Sequence, residues 1–277
     1  MDIWNHLAFD HSSNPQLTRY VLENDIKHDL HDTTCVLDIS ESDPHWNELE
    51  ELLKSANIFF ISETKFSKDE MRSAEWLTVR SKWYYDYPQP ETGYIDITYK
   101  SELLCTNRYC GMEKEQKDSF RFKKTPKWGK RNFCMTNWVH DELFLSPRAK
   151  ELMEDSDLQG MVFLPVNNKS GQDILEDIFQ MQIPYILPEG IADQTSCISD
   201  IYECPVCGKT KARPTGRGQF VFYKSAFVNT PDFVKSAEWF GAGASASRLI
   251  FVSQKAYRFI TENKLDSSLV FEPILLV

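Results

Sequence analysis

The chain has 277 residues, 42% hydrophobic and 26% charged, with a net charge of −10 and a pI near 5.2. That length suits one large domain or two close lobes with ample material for a core, and no stretch approaches the roughly 18 consecutive apolar residues of a membrane span. An acidic surface works against nucleic-acid and acidic-membrane partners and favours basic ones at long range.

The first residues, Met1-Asp2-Ile3-Trp4-Asn5-His6, carry neither a basic start nor an apolar run. No secretory signal is expected, and the chain reads as cytoplasmic. Seven cysteines are an odd number. In that compartment, reduced thiols or metal ligands are favoured over a disulfide framework.

Taken in chain order, Asp43-Pro44 reads as an N-cap with proline at the first helical position, opening a helix through Trp46, Leu49, Leu52 and Leu53. Ile58 to Ile61 reads as a buried strand. Ser67-Lys68-Asp69-Glu70 is a capping box that opens a helix through Met71, Ala74 and Trp76. Trp83, Tyr84, Tyr85 and Tyr87, closed by Pro88 and Pro90, form an aromatic cluster suited to a core or a domain contact. Tyr94 to Leu104 begins with two alternating faces and reads as a strand. Residues 113–131 place lysines and arginines around Phe120, Phe122 and Trp128, and read as a hairpin with a guarded edge.

The second half contains an internal repeat. Leu143-Phe144-Leu145-Ser146-Pro147-Arg148-Ala149, a helix, Leu158 and Val162-Phe163-Leu164-Pro165-Val166 match Ile250-Phe251-Val252-Ser253-Gln254-Lys255-Ala256, a helix, Leu265 and Val270-Phe271-Glu272-Pro273-Ile274. Each copy reads as strand, serine N-cap, helix, short loop, strand and proline. Ser67 opens a weaker third candidate. Between the copies, Asp173 to Gln182 reads as a helix, Ile198 to Tyr202 as a strand, and Phe220 to Tyr223 as a returning strand. The resulting expectation is an α+β fold of mixed sheets built from duplicated strand-helix-strand units. It has an N-terminal region over residues 1–90 and a duplicated region over 91–277.

Two cysteine pairs, each closed by glycine, carry the chemistry. They are Cys105 and Cys110 before Gly111, and Cys204-Pro205-Val206-Cys207-Gly208. A turn of this kind aims two thiolates at one point, and glycine relieves the backbone. Two such turns supply the four thiolates of a closed structural zinc site. The 93 residues between Cys110 and Cys204 mean that a shared ion would clamp segments remote in sequence. Metal ligation is preferred over a redox role, because redox pairs work alone at a helix N-terminus.

Other chemistry finds less support. Five of the six histidines lie in the first 45 residues and form no His-Glu-x-x-His. His28 and His31 could share a helix face. Cys35, Cys134 and Cys197 stand singly, and only His140 is near Cys134 in sequence. Phe240 to Ser247 is glycine-rich but lacks Gly-Lys-Ser/Thr, so it reads as a flexible connection rather than a phosphate loop. Lys209, Lys211, Arg213 and Arg217 read as solvated. A zinc-ribbon nucleic-acid binder, the alternative function, would use Lys123, Lys124, Lys127, Lys130 and Arg131.

The order of these features resembles the double-CXXCG motif family. It rests on the paired knuckles, on Tyr87-Pro88-Gln89-Pro90 ahead of the first, on Trp138 through Asp141-Glu142-Leu143-Phe144, and on Phe271-Glu272-Pro273, over roughly residues 57–277. The spacing of Cys105 and Cys110 departs from the plain motif. The resemblance implies a bacterial immunity protein encoded beside a polymorphic toxin. Such a protein is no enzyme, and neutralises the cognate toxin domain by direct binding. A basic toxin domain would suit the acidic balance of this chain.

Overall fold

The computed structural model describes residues 1–193 and 195–277. The fold is α+β, with helices and mixed or antiparallel sheets. It divides into two compact units. Residues 1–70 with 215–219 form the first, and residues 71–214 with 220–277 form the second. The N-terminal region was expected to extend to residue 90. The division falls near Glu70 instead, because the strand that follows belongs inside a sheet of the second unit.

The first unit contains β1 (Asp2–Asp10), α1 (Pro15–Glu23), β2 (Asp29–His31), β3 (Thr34–Ser40), α2 (Trp46–Ser55) and β4 (Phe60–Lys65), and the division falls within α3 (Lys68–Ser73). Its antiparallel sheet has the order β2-β3-β1-β4. Alternation along β1 buries Asn5, Leu7 and Phe9. Leu17 and Val21 of α1, with Trp46, Leu49 and Leu53 of α2, close over that face as one core. The helix read from Asp43 starts at Trp46. Asp43 sits in the preceding turn, where its carboxylate accepts from His45 N–H at 2.9 Å. The capping box at Ser67 forms in both directions: Glu70 N–H donates to Ser67 Oγ at 3.2 Å, and Ser67 N–H donates to the Glu70 carboxylate at 2.7 Å. Residues 215–219 join this unit through Thr64, which donates to Gly216 O at 3.0 Å and accepts from Gly218 N–H at 2.8 Å.

The second unit begins with β5 (Trp76–Ser81), α4 (Tyr94–Thr98), β6 (Arg121–Phe122), β7 (Phe133–Thr136), β8 (Val139–Leu145), α5 (Pro147–Glu154), β9 (Val162–Asn168) and β10 (Ile174–Gln182). It continues with β11 (Ile198–Glu203), β12 (Thr210–Pro214), β13 (Val221–Phe222), β14 (Phe233–Lys235), β15 (Trp239–Phe240), β16 (Ile250–Ser253), α6 (Gln254–Glu262), β17 (Leu269–Pro273) and β18 (Leu275–Leu276). The sheets run β6-β9-β10-β8-β7, β14-β16-β5-β17 and β11-β12-β15, with a β13-β18 pair.

The duplication is visible in the strand register. In one copy β10 lies antiparallel between β8 and β9, with Phe179 opposite both Leu145 and Pro165. In the other, β5 lies antiparallel between β16 and β17, with Leu77 opposite both Val252 and Pro273. Leu145 and Val252 are matched positions of the repeat, and so are Pro165 and Pro273. The central strand follows its copy in one case and precedes it by most of the unit in the other. Ser146 and Ser253 cap the helices alike, accepting from Ala149 N–H at 3.2 Å and Ala256 N–H at 3.1 Å. Both helices bury residues in one core, with Ala149 and Met153 beside Ala256 and Ile260. The weak third candidate at Ser67 leads into β5, which completes the second copy rather than forming another unit.

Several readings of the sequence are corrected by the structure. The strand expected over Ile58 to Ile61 starts at Phe60, with Phe59 and Ile61 exposed rather than buried, and the helix opened at Ser67 ends at Ser73, so that Trp76 starts β5. Residues 173–182 contain a strand, β10, not a helix. A register shift between Leu175 and Phe179 breaks the two-residue period and leaves apolar residues at helix-like intervals. Tyr94 to Leu104 is not a strand: α4 occupies its start, with Tyr94 and Thr98 buried one turn apart. Residues 113–131 hold only the two-residue β6, whose partner is β9 in parallel.

Candidate metal centre

The four knuckle cysteines converge. The sulfurs of Cys105, Cys110, Cys204 and Cys207 all lie within 4.8 Å of one another. Cys105 Sγ is 3.7 Å from Cys204 Sγ, and Cys110 Sγ is 3.7 Å from Cys207 Sγ. Tetrahedral zinc with bonds of about 2.3 Å places its sulfurs about 3.8 Å apart. The donor set therefore fits a tetrahedral ion of thiolate preference, with one sulfur from each knuckle in both close pairs. No second cluster of three or more such ligands occurs among the described residues.

Local structure explains the convergence. Cys204 and Cys207 occupy the turn of the β11–β12 hairpin, where Gly208 N–H donates to Cys204 O at 2.8 Å. Gly208 has a φ of 70° and open space around its α-carbon, so backbone conformation alone demands glycine there. Gly111 has a φ of 67°, and a β-carbon on it would lie 2.4 Å from Ala244 O. Packing demands that glycine as well. The first knuckle is a loop after the 3-10 turn at 101–103 rather than a hairpin. Cys110 and Cys204 are fully buried, whereas Cys207 is exposed.

The electrostatics favour a thiolate at Cys204. Burial works against its charge, but the backbone N–H groups of Cys207 and Val206 and the Asn107 amide outweigh that effect and bring the thiol down to about 6. The Asn107 side chain lies 3.3 Å from Cys204 Sγ and also donates to Tyr202 Oη at 2.9 Å. Burial pushes the Cys110 thiol up to about 12, so without a cation this sulfur stays protonated. A bound metal would reverse that balance.

Lys211 was grouped in the sequence with solvated basic residues, yet it is only 3% exposed. Its ammonium donates to the carbonyls of Tyr109 at 2.8 Å, Cys110 at 2.9 Å, Gly243 at 2.6 Å and Ser245 at 3.0 Å. Lys211 thus pins the first knuckle and the glycine-rich loop to the strand that leaves the second knuckle. It also places a positive charge beside a site whose four thiolates would exceed the charge of a divalent ion. The loop at 240–247 presents carbonyls to a cation, the opposite polarity from the N–H cradle of a phosphate loop. No local signal marked Lys211 in the sequence, because the carbonyls that surround it come from two remote segments.

The remaining candidates do not assemble. Cys35, Cys134 and Cys197 are buried, and burial raises all three thiols, Cys197 to about 12. No hydrogen bond joins Cys134 to His140 among the described residues, and the His140 ring packs against Tyr84. His28 accompanies no helix; its ring meets Ile26 O at 2.7 Å, and His31 lies on β2. No protein-family model matches the chain, and no curated protein matches it. Among the described residues, no helix is long and apolar enough to cross a membrane.

Proposed function

We propose that this chain is a cytoplasmic immunity protein. It binds the toxin domain encoded beside it and neutralises it by occlusion, while zinc at Cys105, Cys110, Cys204 and Cys207 holds the second unit in shape. One observation carries the partner reading. The first unit has 15 acidic against 6 basic side chains, a net charge of −9, whereas the second has 26 against 25, a net charge of −1. Nearly all the net negative charge of the chain therefore sits on a unit of 75 residues that contains none of the proposed metal ligands. Such a surface steers a basic partner and accelerates its association at low salt. The four-sulfur set leaves no position for a substrate, which supports a structural ion and an inhibitor rather than an enzyme.

The nucleic-acid alternative loses two of its five cations to internal partners: Lys123 pairs with Glu91 at 2.7 Å, and Arg131 stacks on Trp83. The test is co-expression and pull-down with the neighbouring toxin domain. The expected result is a stable complex, rescue of growth, and an association rate that falls steeply with salt. No complex and no rescue would end this reading.

A further inference from the structure

The second unit contains a cavity of about 470 Å³ beside the first knuckle. Tyr94, Ile95, Leu104 and Met112 supply apolar walls, and Trp138 stands at its edge. Its size falls in the range of roughly 300–1,000 Å³ typical of small-molecule sites.

Trp138 is the first sign that the cavity has a purpose. It occupies the two-residue turn between β7 and β8 with a φ of 69°. Glycine or asparagine ordinarily takes such a position, and a bulky residue there is strained. The turn nevertheless holds an indole that remains 45% exposed. Its ring stacks on Tyr94 at a centroid distance of 6.0 Å and an interplanar angle of 24°, and Tyr87 abuts it at 4.5 Å. Backbone strain that displays a flat aromatic surface beside a cavity is a departure from local rules of the kind found at binding sites.

The second sign is charge. Lys114 lines the same cavity, and its ammonium donates one hydrogen bond, to Ala246 O at 3.0 Å. Lysine has three donors, so two remain for a ligand. Arg108 also lines the cavity, stacked on Tyr109. Neither cation makes an ion pair among the described residues. Burial works against the Lys114 charge and lowers its pKa, while Asp141 and Glu142 favour that charge from beyond ion-pair distance; the Asp141 carboxylate accepts from Arg248 N–H at 3.3 Å. Glu91, the acid of the lining, is engaged by Lys123.

We propose that this cavity binds an organic anion, with an aromatic or aliphatic body seated against Tyr94, Leu104, Met112 and Trp138 and its carboxylate or phosphate on Lys114. The apolar walls reward the body, and the underused ammonium rewards the head group. This inference does not depend on the toxin-binding reading.

Calorimetry and ligand-observed NMR on the metal-loaded full chain test it, with 3-phenylpropionate, phenyl phosphate and the neutral 3-phenylpropanamide as probes. One of the two anions should bind at one site per chain at least about tenfold more tightly than the amide, and the better anion identifies the head group. Lys114→Gln should erase that preference. Trp138→Gly, which suits the backbone of the turn, should weaken binding about tenfold while leaving the circular dichroism spectrum unchanged. Chemical-shift mapping on the unmutated protein should localise the change to Tyr94, Leu104, Met112 and His140, independently of how the variants fold. Anions that bind no better than the amide, or shift changes confined elsewhere, would overturn the proposal.

Discussion

The two units put charge to different uses. In the first, every fully buried side chain is uncharged, and the acidic residues lie at or near the surface of a sheet covered by two amphipathic helices. In the second, net charge is near zero, yet Lys211, Lys235 and Glu142 are buried among the described residues. Lys235 meets Glu142 at 2.6 Å, and Gln180 donates to the same carboxylate at 2.9 Å. A buried charge is tolerated when its partners are fixed, and the second unit supplies them from strands far apart in sequence. Charge is thus an internal fastening in one unit and an outward field in the other. The four cysteines belong to the fastening side.

The sharpest way to break this contrast is Cys204→Ser. Because the binding energy of a structural ion is folding energy, the substitution should release the metal and cost several kcal/mol. Hydrogen exchange should show the loss around β11 and β12 while amides of α1 and α2 stay protected. Equal loss in both units would mean that they are not independent. The reciprocal experiment is Leu53→Ala in the first core, where the side chain is fully buried. It should cost about 2–5 kcal/mol, read as faster exchange in α1 and α2, with the metal content of the chain unchanged.

A finer comparison lies inside the second unit. Ser146→Ala and Ser253→Ala remove equivalent caps, and each should lower stability by about 1 kcal/mol in chemical denaturation. A clear inequality would show that the two copies have diverged in their energetics as well as in the origin of their central strands. The smallest effect concerns Glu70. The N-terminal ammonium and then the Ser67 N–H bring its carboxyl down to about 2. A depressed carboxylate stabilises the fold above its unfolded value of about 4.3 and loses that contribution as pH falls toward 2. Glu70→Gln should therefore be less stable than the parent at neutral pH and match it near pH 2 in an acid-unfolding series.

Local signals in the sequence were read well where they were self-contained. The capping box at Ser67, the apolar face from Trp46 to Leu53, and the duplicated strand-serine-helix segments each encode a structure within about ten residues. The convergence of the four cysteines was legible because Cys-Gly turns constrain themselves. Misreadings came where distant partners decide. Ile174 to Gln182 becomes a strand because β8 and β9 flank it, and its bulge disguises the period. Tyr94 to Thr98 alternates like a strand, but burial of Tyr94 and Thr98 selects the helix. Lys211 looked like a surface lysine until four carbonyls from two remote loops surrounded it. Trp138 stood only within a motif, since nothing in its neighbours announces a positive φ.

The identity and role of the ion decide most of this account. X-ray absorption at the zinc edge, paired with elemental analysis of the chain as purified, tests both together. The expected result is one zinc per chain with four sulfur neighbours at about 2.3 Å and no lighter ligand. A nitrogen or oxygen in the first shell, or a chain that is folded and metal-free, would contradict it.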